Sequence, residues 1–250
     1  MSIVAIIPAR MASSRFPGKP LATILGLSMI EHVRRRVTLC EILDDVIVAT
    51  CDKDILNEVE GFGGKVMMSS DTHETCIDRV GEIAMKIQAD IIINIQGDMP
   101  LVDPNSLKEL VKPLLQDKKI NYTDLMTPII DNKDINDLNV VKVVSSLSGN
   151  ALYYTREAIP SVFKKNNHRE TYFKQLGINA FRKKSLIKFL SLKRSPLEKT
   201  ESIDMLRLLE NDLNVKMIRA NLPSVGVDTK EDLEIAIKLM KQDATFFKYR

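Results

Sequence analysis

Residues 8–21 read PARMASSRFPGKPL, immediately after the apolar run Ile3–Ile7. Arg10, Arg15 and Lys19 put three cations into one short segment, with serines between them and Pro17-Gly18 shaping a turn. Phosphate oxygens are held by this kind of set: backbone N–H groups fixed by a turn, plus guanidinium and ammonium charge. The segment is not a Walker A loop, because GxxxxGK[ST] is absent. Two acids stand at comparable places. Asp98 follows the apolar run Ile91–Gln96 in Gln96-Gly97-Asp98. An acid beyond a buried strand faces a ligand more readily than the core, where an unpaired charge is costly. Asp228 lies in Gly226-Val227-Asp228-Thr229, just before a helix. Taken alone, it reads more readily as a cap or a partner for the helix dipole than as a ligand. Taken together beside a phosphate loop, Asp98 and Asp228 suit Mg²⁺, which takes one or two carboxylates and completes its shell with phosphates and water.

The elements that must position these groups follow from periodicity. Ile3–Ile7, Val46–Thr50, Lys65–Ser69 and Ile91–Gln96 read as strands, and their continuous apolar character suits burial on both faces of a parallel sheet. Ser28–Cys40, Lys53–Glu60 and Thr75–Ile87 carry apolar residues at helical spacing. Such alternation predicts an α/β fold with a Rossmann-like, doubly wound and mostly parallel sheet, whose ligands bind beyond the carboxyl ends of the strands. A helix is expected over Pro104–Gln116. After it the pattern changes to short strands at Asp124–Ile129, Asn139–Ser145, Ala151–Thr155 and Gly177–Phe181, with a polar insert at Ser161–Arg169. Glu198–Glu210 reads as one helix, Lys216–Ala220 as a strand, and Thr229–Met240 as a closing helix with Thr229 as N-cap and Asp232 three residues on. No linker or repeat interrupts the chain. The expectation is a single domain over residues 1–250, with 120–190 as a β-rich insertion.

Composition excludes several classes. The 250 residues are 44% hydrophobic and 28% charged, as in an ordinary globular protein, and a net charge of +3 is too small for a nucleic-acid partner. No apolar stretch approaches membrane-span length. Cys40, Cys51 and Cys76 have no CxxC spacing, so reduced thiols in a cytoplasmic protein are the expectation.

PARMASSRFPGKPL, QGD, NVVKVV, SPLE and GVDT, in this order over about residues 2–240, resemble the cytidylyltransferases that activate 3-deoxy-manno-octulosonate (Kdo). The resemblance implies a homodimeric, Mg²⁺-dependent enzyme that makes a CMP-sugar from CTP, a reaction of lipopolysaccharide biosynthesis. It implies that Pro8, Ala9, Arg10, Ser13, Arg15, Lys19, Arg79 and Gln96 hold the nucleotide, and that Asp98 and Asp228 hold the metal. Arg10, Lys19, Asp98 and Asp228 would form the catalytic set. Lys142, Arg156, Gln175, Asn179 and Asp204 fall at sugar-side positions, where a substrate carboxylate needs a cation.

The chain also departs from the family pattern. QGDEP becomes Gln96-Gly97-Asp98-Met99-Pro100, and HxSGTDR becomes residues 73–79 with Cys76 and Ile77 against the expected nucleotide. HLGIY becomes Gln175 to Asn179, and a Glu-Gln pair becomes Asp204-Met205. Drift within a Kdo enzyme accounts for such changes, and so does a modified sugar acid, since a different hydroxyl pattern needs different partners. Transfer to another sugar or sugar phosphate, or an inactive nucleotide-binding regulator, are the readings of other kinds. Retention of Lys19, Asp98 and Asp228 argues against the regulator, which has little need of a metal pair.

Overall fold

The computed structural model describes residues 1–13, 15–161, 172–220 and 225–250; residues 162–169 of the expected polar insert lie outside them. In chain order the elements are β1 (Ile3–Ala9), β2 (Thr23–Ile24), β3 (Leu27–Ser28), α1 (Met29–Thr38), β4 (Asp45–Thr50), α2 (Lys53–Gly61), β5 (Lys65–Met68), α3 (Cys76–Lys86), β6 (Ile91–Asn94) and α4 (Pro104–Gln116). They continue with β7 (Tyr122–Pro128), α5 (Lys133–Asn136), β8 (Lys142–Ser145), β9 (Ala151–Thr155), β10 (Phe173–Arg182), α6 (Lys183–Ser191), α7 (Pro196–Glu201), α8 (Leu206–Leu209), β11 (Lys216–Arg219) and α9 (Lys230–Met240). Two compact units result, Met1–Lys108 with Ser224–Arg250, and Glu109–Pro223. Residues 120–190 fall inside the second.

In the first unit the strands run β6-β1-β4-β5, all parallel, with Ala5 opposite Val46 on one side and Ile93 on the other. Every residue of β1 is buried, as its unbroken apolar run requires. Ile6, Ile7, Ile92 and Ile93 have no solvent exposure, and each contributes roughly 1.5–3 kcal/mol through burial. Thr75 caps α3 by accepting from the Asp78 N–H at 3.3 Å, while Asp78 Oδ2 accepts from the Thr75 N–H at 3.2 Å. Thr229 and Asp232 make the same reciprocal box at α9, where it was expected. A satellite core of Ile24, Met29, Val227, Ala236 and Met240 anchors α9.

In the second unit the order is β11-β7-β10-β8-β9, with β11 parallel to β7 and the other pairs antiparallel. This sheet curls until the turn before β9 returns to β11. The Ala151 N–H donates to Val215 O and the Met217 N–H to Gly149 O, each at 2.8 Å. The strand read at Gly177–Phe181 is longer, because β10 continues through an irregularity. Its register to β7 shifts between Gln175 and Asn179, where Gly177 takes φ 68°, a left-handed conformation that glycine adopts without steric cost.

Two expectations need correction. The single helix at Glu198–Glu210 is two short ones, because Ser202 turns left-handed at φ 55° and the chain doubles back. The fold-back lets Arg207 pair with buried Glu198 at 2.5 and 2.7 Å and brings the Glu210 carboxylate to the Leu197 N–H at 3.0 Å. Helical spacing cannot register such a break, since no Gly or Pro marks it. The second is α6, which the sequence reading missed. Its first turn is Lys183-Lys184, without a capping residue or an acid.

Candidate active site

The phosphate-binding signals converge in the first unit, at the carboxyl ends of its strands. A cleft of about 430 Å³ is lined there by Pro8, Ala9, Arg10, Ser13, Arg15, Lys19, Arg79, Gln96, Asp98 and Asp228, and also by His73, Thr75 and Cys76. Each loop is fixed by a local cause. The Met11 N–H donates to Asp52 Oδ2 at 2.8 Å, tying the start of the 10–18 loop to the end of β4. Gly18 takes φ 74° and donates to Met11 O at 3.1 Å, which closes that loop on itself. Gly97 must be glycine for another reason. A Cβ there would lie 2.9 Å from Pro8 O. The Val227 N–H donates to Asp98 O at 2.9 Å, so the segment before α9 is bonded directly to the loop that carries Asp98.

At the centre is one ammonium between two carboxylates. Lys19 Nζ donates to Asp98 Oδ2 at 2.7 Å and to Asp228 Oδ1 at 3.1 Å, and an Arg15 Nη2 lies 3.1 Å from the same Asp228 oxygen. Burial alone would lower the Lys19 pKa; the charges and hydrogen bonds of Asp98 and Asp228 outweigh it and raise it. Asp228 is therefore not the cap of α9. Thr229 fills that role, which leaves the Asp228 carboxylate for the cleft. Arg10 is exposed. Arg79 is 3% exposed, and its guanidinium bonds Ser69 Oγ and Ser70 O, bracing the loop before α3.

Two oxygen-bearing side chains within 3.1 Å of a single cation match the donor chemistry of Mg²⁺, which asks for one or two carboxylates and leaves its other positions to phosphates and water. Among the described residues no group of three or more metal-ligating side chains exists. A metal at this place would draw on Asp98, Asp228 and its own ligand.

The rim carries a group that the sequence reading left open. His73 Nε2 lies 2.6 Å from Glu82 Oε2, which also accepts from the Ser70 N–H at 2.8 Å, while Lys86 donates to Oε1 at 2.5 Å. Lys86, the Ser70 N–H and His73 together hold Glu82 at a pKa of about 2. Asp52 and Glu82 are the supporting acids the sequence reading missed. Asp52 carried the same signal as Asp98, an acid just beyond a buried strand.

The departures from the family pattern divide in the structure. Cys76 is exposed and lines the cleft, but Ile77 is 1%, Met99 4% and Met205 2% exposed. Those three are core residues.

The sugar-side candidates lie in the second unit, where most are engaged with their own chain. Lys142 has no solvent exposure, and its Nζ donates to Asp137 O at 2.8 Å and Val140 O at 2.7 Å. Burial lowers its pKa, with Asp137 and Glu157 opposing. Arg156 donates from Nε to Glu201 O at 2.7 Å and from Nη1 to Leu138 O at 2.8 Å. Both cations thus hold the 137–140 segment. Gln175 Nε2 donates to Asp124 Oδ2 at 2.7 Å, Asn179 is buried, and Asp204 is half-buried. Burial pushes the Asp124 carboxyl up to about 7, opposed by its bonds from Gln175 and Tyr154.

Known proteins resemble the chain over nearly its full length. The family described as cytidylyltransferase matches residues 4–220. A 3-deoxy-manno-octulosonate cytidylyltransferase of Geobacter metallireducens is 40% identical over 251 residues, covering 97% of this chain and 99% of the relative. Its counterpart in Syntrophotalea carbinolica is 42% identical over 246 residues, covering 93% and 96%. A solved CMP:2-keto-3-deoxy-manno-octonic acid synthetase complexed with CTP superposes with a TM-score of 0.90 at 36% identity, covering 97% of this chain and 99% of that one. With its cation loop, paired acids and full-length likeness to these enzymes, the chain belongs to the cytidylyltransferase family.

Proposed function

We propose that the protein transfers CMP from CTP to the anomeric hydroxyl of a 2-keto-3-deoxy sugar acid, Kdo or a modified relative, and releases pyrophosphate. The observation that carries this reading is Lys19 held between Asp98 and Asp228 on the floor of a cleft rimmed by Arg10 and Arg15. Named enzymes of this activity align with the chain from end to end. In this reading the anomeric oxygen attacks the α-phosphorus and the bond to the β-phosphate oxygen breaks. Pyrophosphate leaves, and the hydroxyl proton passes to solvent.

Most of the catalysis is alignment and charge neutralisation. Arg10, Ser13 and Arg15 grip phosphate oxygens, and Lys19 neutralises charge developing on the leaving group. Pro8, Ala9, Arg79 and Gln96 shape the nucleotide wall. Asp98 and Asp228 would hold Mg²⁺, which when bound supplies Lewis-acid stabilisation of the phosphates. Lys19 lies between these acids, and its ammonium would serve as a cationic partner for a phosphate oxygen. The enzyme would work as a homodimer in the cytoplasm; no helix among the described residues is long and apolar enough to cross a membrane.

The test is pyrophosphate release with Mg²⁺, each of the four nucleoside triphosphates and a panel of keto-deoxy sugar acids. Release with CTP and at least one acid is expected. No release with CTP and any acid overturns the reading. The acid with the largest kcat/KM identifies the acceptor, and equal rates with Kdo and every variant would remove the case for a modified sugar.

A further inference from the structure

Among the described residues, the fully buried carboxyl of Asp124 in the second unit has no cationic partner. It is on β7, without solvent exposure, and its Oδ2 accepts from Gln175 Nε2 at 2.7 Å and from Tyr154 Oη at 3.1 Å. Tyr154 on β9 is itself fully buried, and reaches Asp124 because the sheet curls. Burying a carboxylate costs several kcal/mol unless its partners are excellent, and a well-packed apolar residue would serve the core better.

What this acid does is visible in Gln175. A side-chain amide has a donor end and an acceptor end. In the structure the Nε2 end of Gln175 donates to Asp124 Oδ2, which leaves Oε1 to face away. Gln175 is partly exposed, and among the described residues its Oε1 accepts no hydrogen bond. The shift in β10 around Gly177 separates Gln175 from Asn179, the residue directly across from Asp124.

We propose that Asp124, braced by Tyr154, is a positioning residue that holds Gln175 with its amide oxygen presented to a hydroxyl or other hydrogen-bond donor of the sugar acid. This rests on the reading of the protein as a sugar-acid cytidylyltransferase with Gln175 on the sugar side. Asp124 has no direct contact with substrate in this account. It decides which end of Gln175 the substrate meets, and with it which acceptor pattern is preferred.

The experiment is a double-mutant cycle. KM for the sugar acid, KM for CTP and kcat are measured for the wild type, Asp124→Asn, Gln175→Ala and the double variant, with melting temperature as a check on folding. Asn at 124 keeps the shape but offers donors and acceptors alike, so it no longer dictates the amide's direction. Each single variant is expected to raise the sugar-acid KM about tenfold (roughly 1.4 kcal/mol) and to leave the CTP KM within twofold. The double variant should be no worse than Gln175→Ala, because Asp124 acts through Gln175. Independent, multiplying effects overturn the proposal, as does an equal rise in both KM values. So does an unchanged sugar KM in Gln175→Ala. Should Asp124→Asn fail to fold, Tyr154→Phe removes the brace and enters the same cycle. Activity of the wild type with CTP and a sugar acid tests the functional reading separately, so an inactive wild type and a failed cycle have different meanings.

Discussion

Both units carry cations at positions expected to meet substrate, but they employ them differently. In the first, Lys19 and Arg15 are joined to Asp98 and Asp228 by side-chain ion pairs in an open cleft. Side-chain ion pairs in an open cleft can be exchanged, because either partner can turn to an incoming ion. In the second, Lys142 and Arg156 give their donors to the carbonyls of Asp137, Leu138, Val140 and Glu201. Backbone carbonyls do not leave. A cation bonded this way is part of the framework, and whatever it offers a ligand comes from the donors left over.

The most severe break in this comparison is expected at Asp98. Replacement by Asn keeps the shape and removes the charge that would hold the metal. Pyrophosphate release should fall at least ~1000-fold, as for loss of a principal electrostatic group, while the melting temperature stays within a few degrees. Wild-type turnover in Asp98→Asn would remove that residue from the site.

Next in size is the contrast between Lys19→Met and Lys142→Met. At Lys19 the expected loss is in rate, about 100-fold or more in kcat, with a small change in stability because the neighbouring acids remain partly solvated. At Lys142 the carbonyls of exposed Asp137 and half-buried Val140 lose their donor, at about 0.5–1.5 kcal/mol each, so the melting temperature should drop by a few degrees while the CTP KM holds. Thermal melts beside steady-state kinetics separate the two. If Lys142→Met alters only the sugar KM, the framework role assigned here is wrong.

A smaller effect is expected at Cys76, which is exposed on the cleft wall at the first turn of α3. Saturating CTP with Mg²⁺ should slow its alkylation several-fold by covering the thiol, whereas buried Cys40 should not react in either state. Mass-spectrometric labelling with and without CTP measures this. Equal labelling of Cys76 in both would place the nucleotide elsewhere.

Much of the first unit was legible in the sequence because its signals are local. Apolar runs gave four parallel strands nearly residue for residue, and the capping box at Thr229 and Asp232 marked α9. Arg10, Arg15, Lys19, Asp98 and Asp228 of the cleft were legible too, since each follows a buried strand or precedes a helix. Tertiary placement was not. Met99 and Met205 differ from the family pattern, yet both are core, and a departure from a pattern does not say which way a side chain points. The break at Ser202 was hidden because its cause, the Glu198–Arg207 pair, joins residues nine apart across a turn. Asp124 entered the sequence reading only as the first residue of a strand; pairing with β10 brings Gln175 to it, and the curl of the sheet brings Tyr154.

The smallest effect tests the supports at the cleft rim. Glu82 receives Lys86, the Ser70 N–H and His73, and these hold its pKa near 2 in the folded protein against an ordinary 4.5. A carboxyl depressed by folding stabilises the native state where it is ionised in both states, so its contribution is full above about pH 4.5. It is lost as pH falls toward 2, where the folded carboxyl is protonated as well. The group is partly hydrated, and screening keeps the contribution below about 1 kcal/mol. Glu82→Gln should therefore lie slightly below wild type in urea stability at pH 6, and the gap should close as pH drops through 4.5 toward 2. The same variant frees His73, so its CTP KM should rise by no more than about threefold, far less than any change in the charged centre. A gap that widened in acid would mean that Glu82 is not held ionised by its partners. A loss of kcat as large as that expected of Lys19→Met would move His73 from the rim into the charged centre.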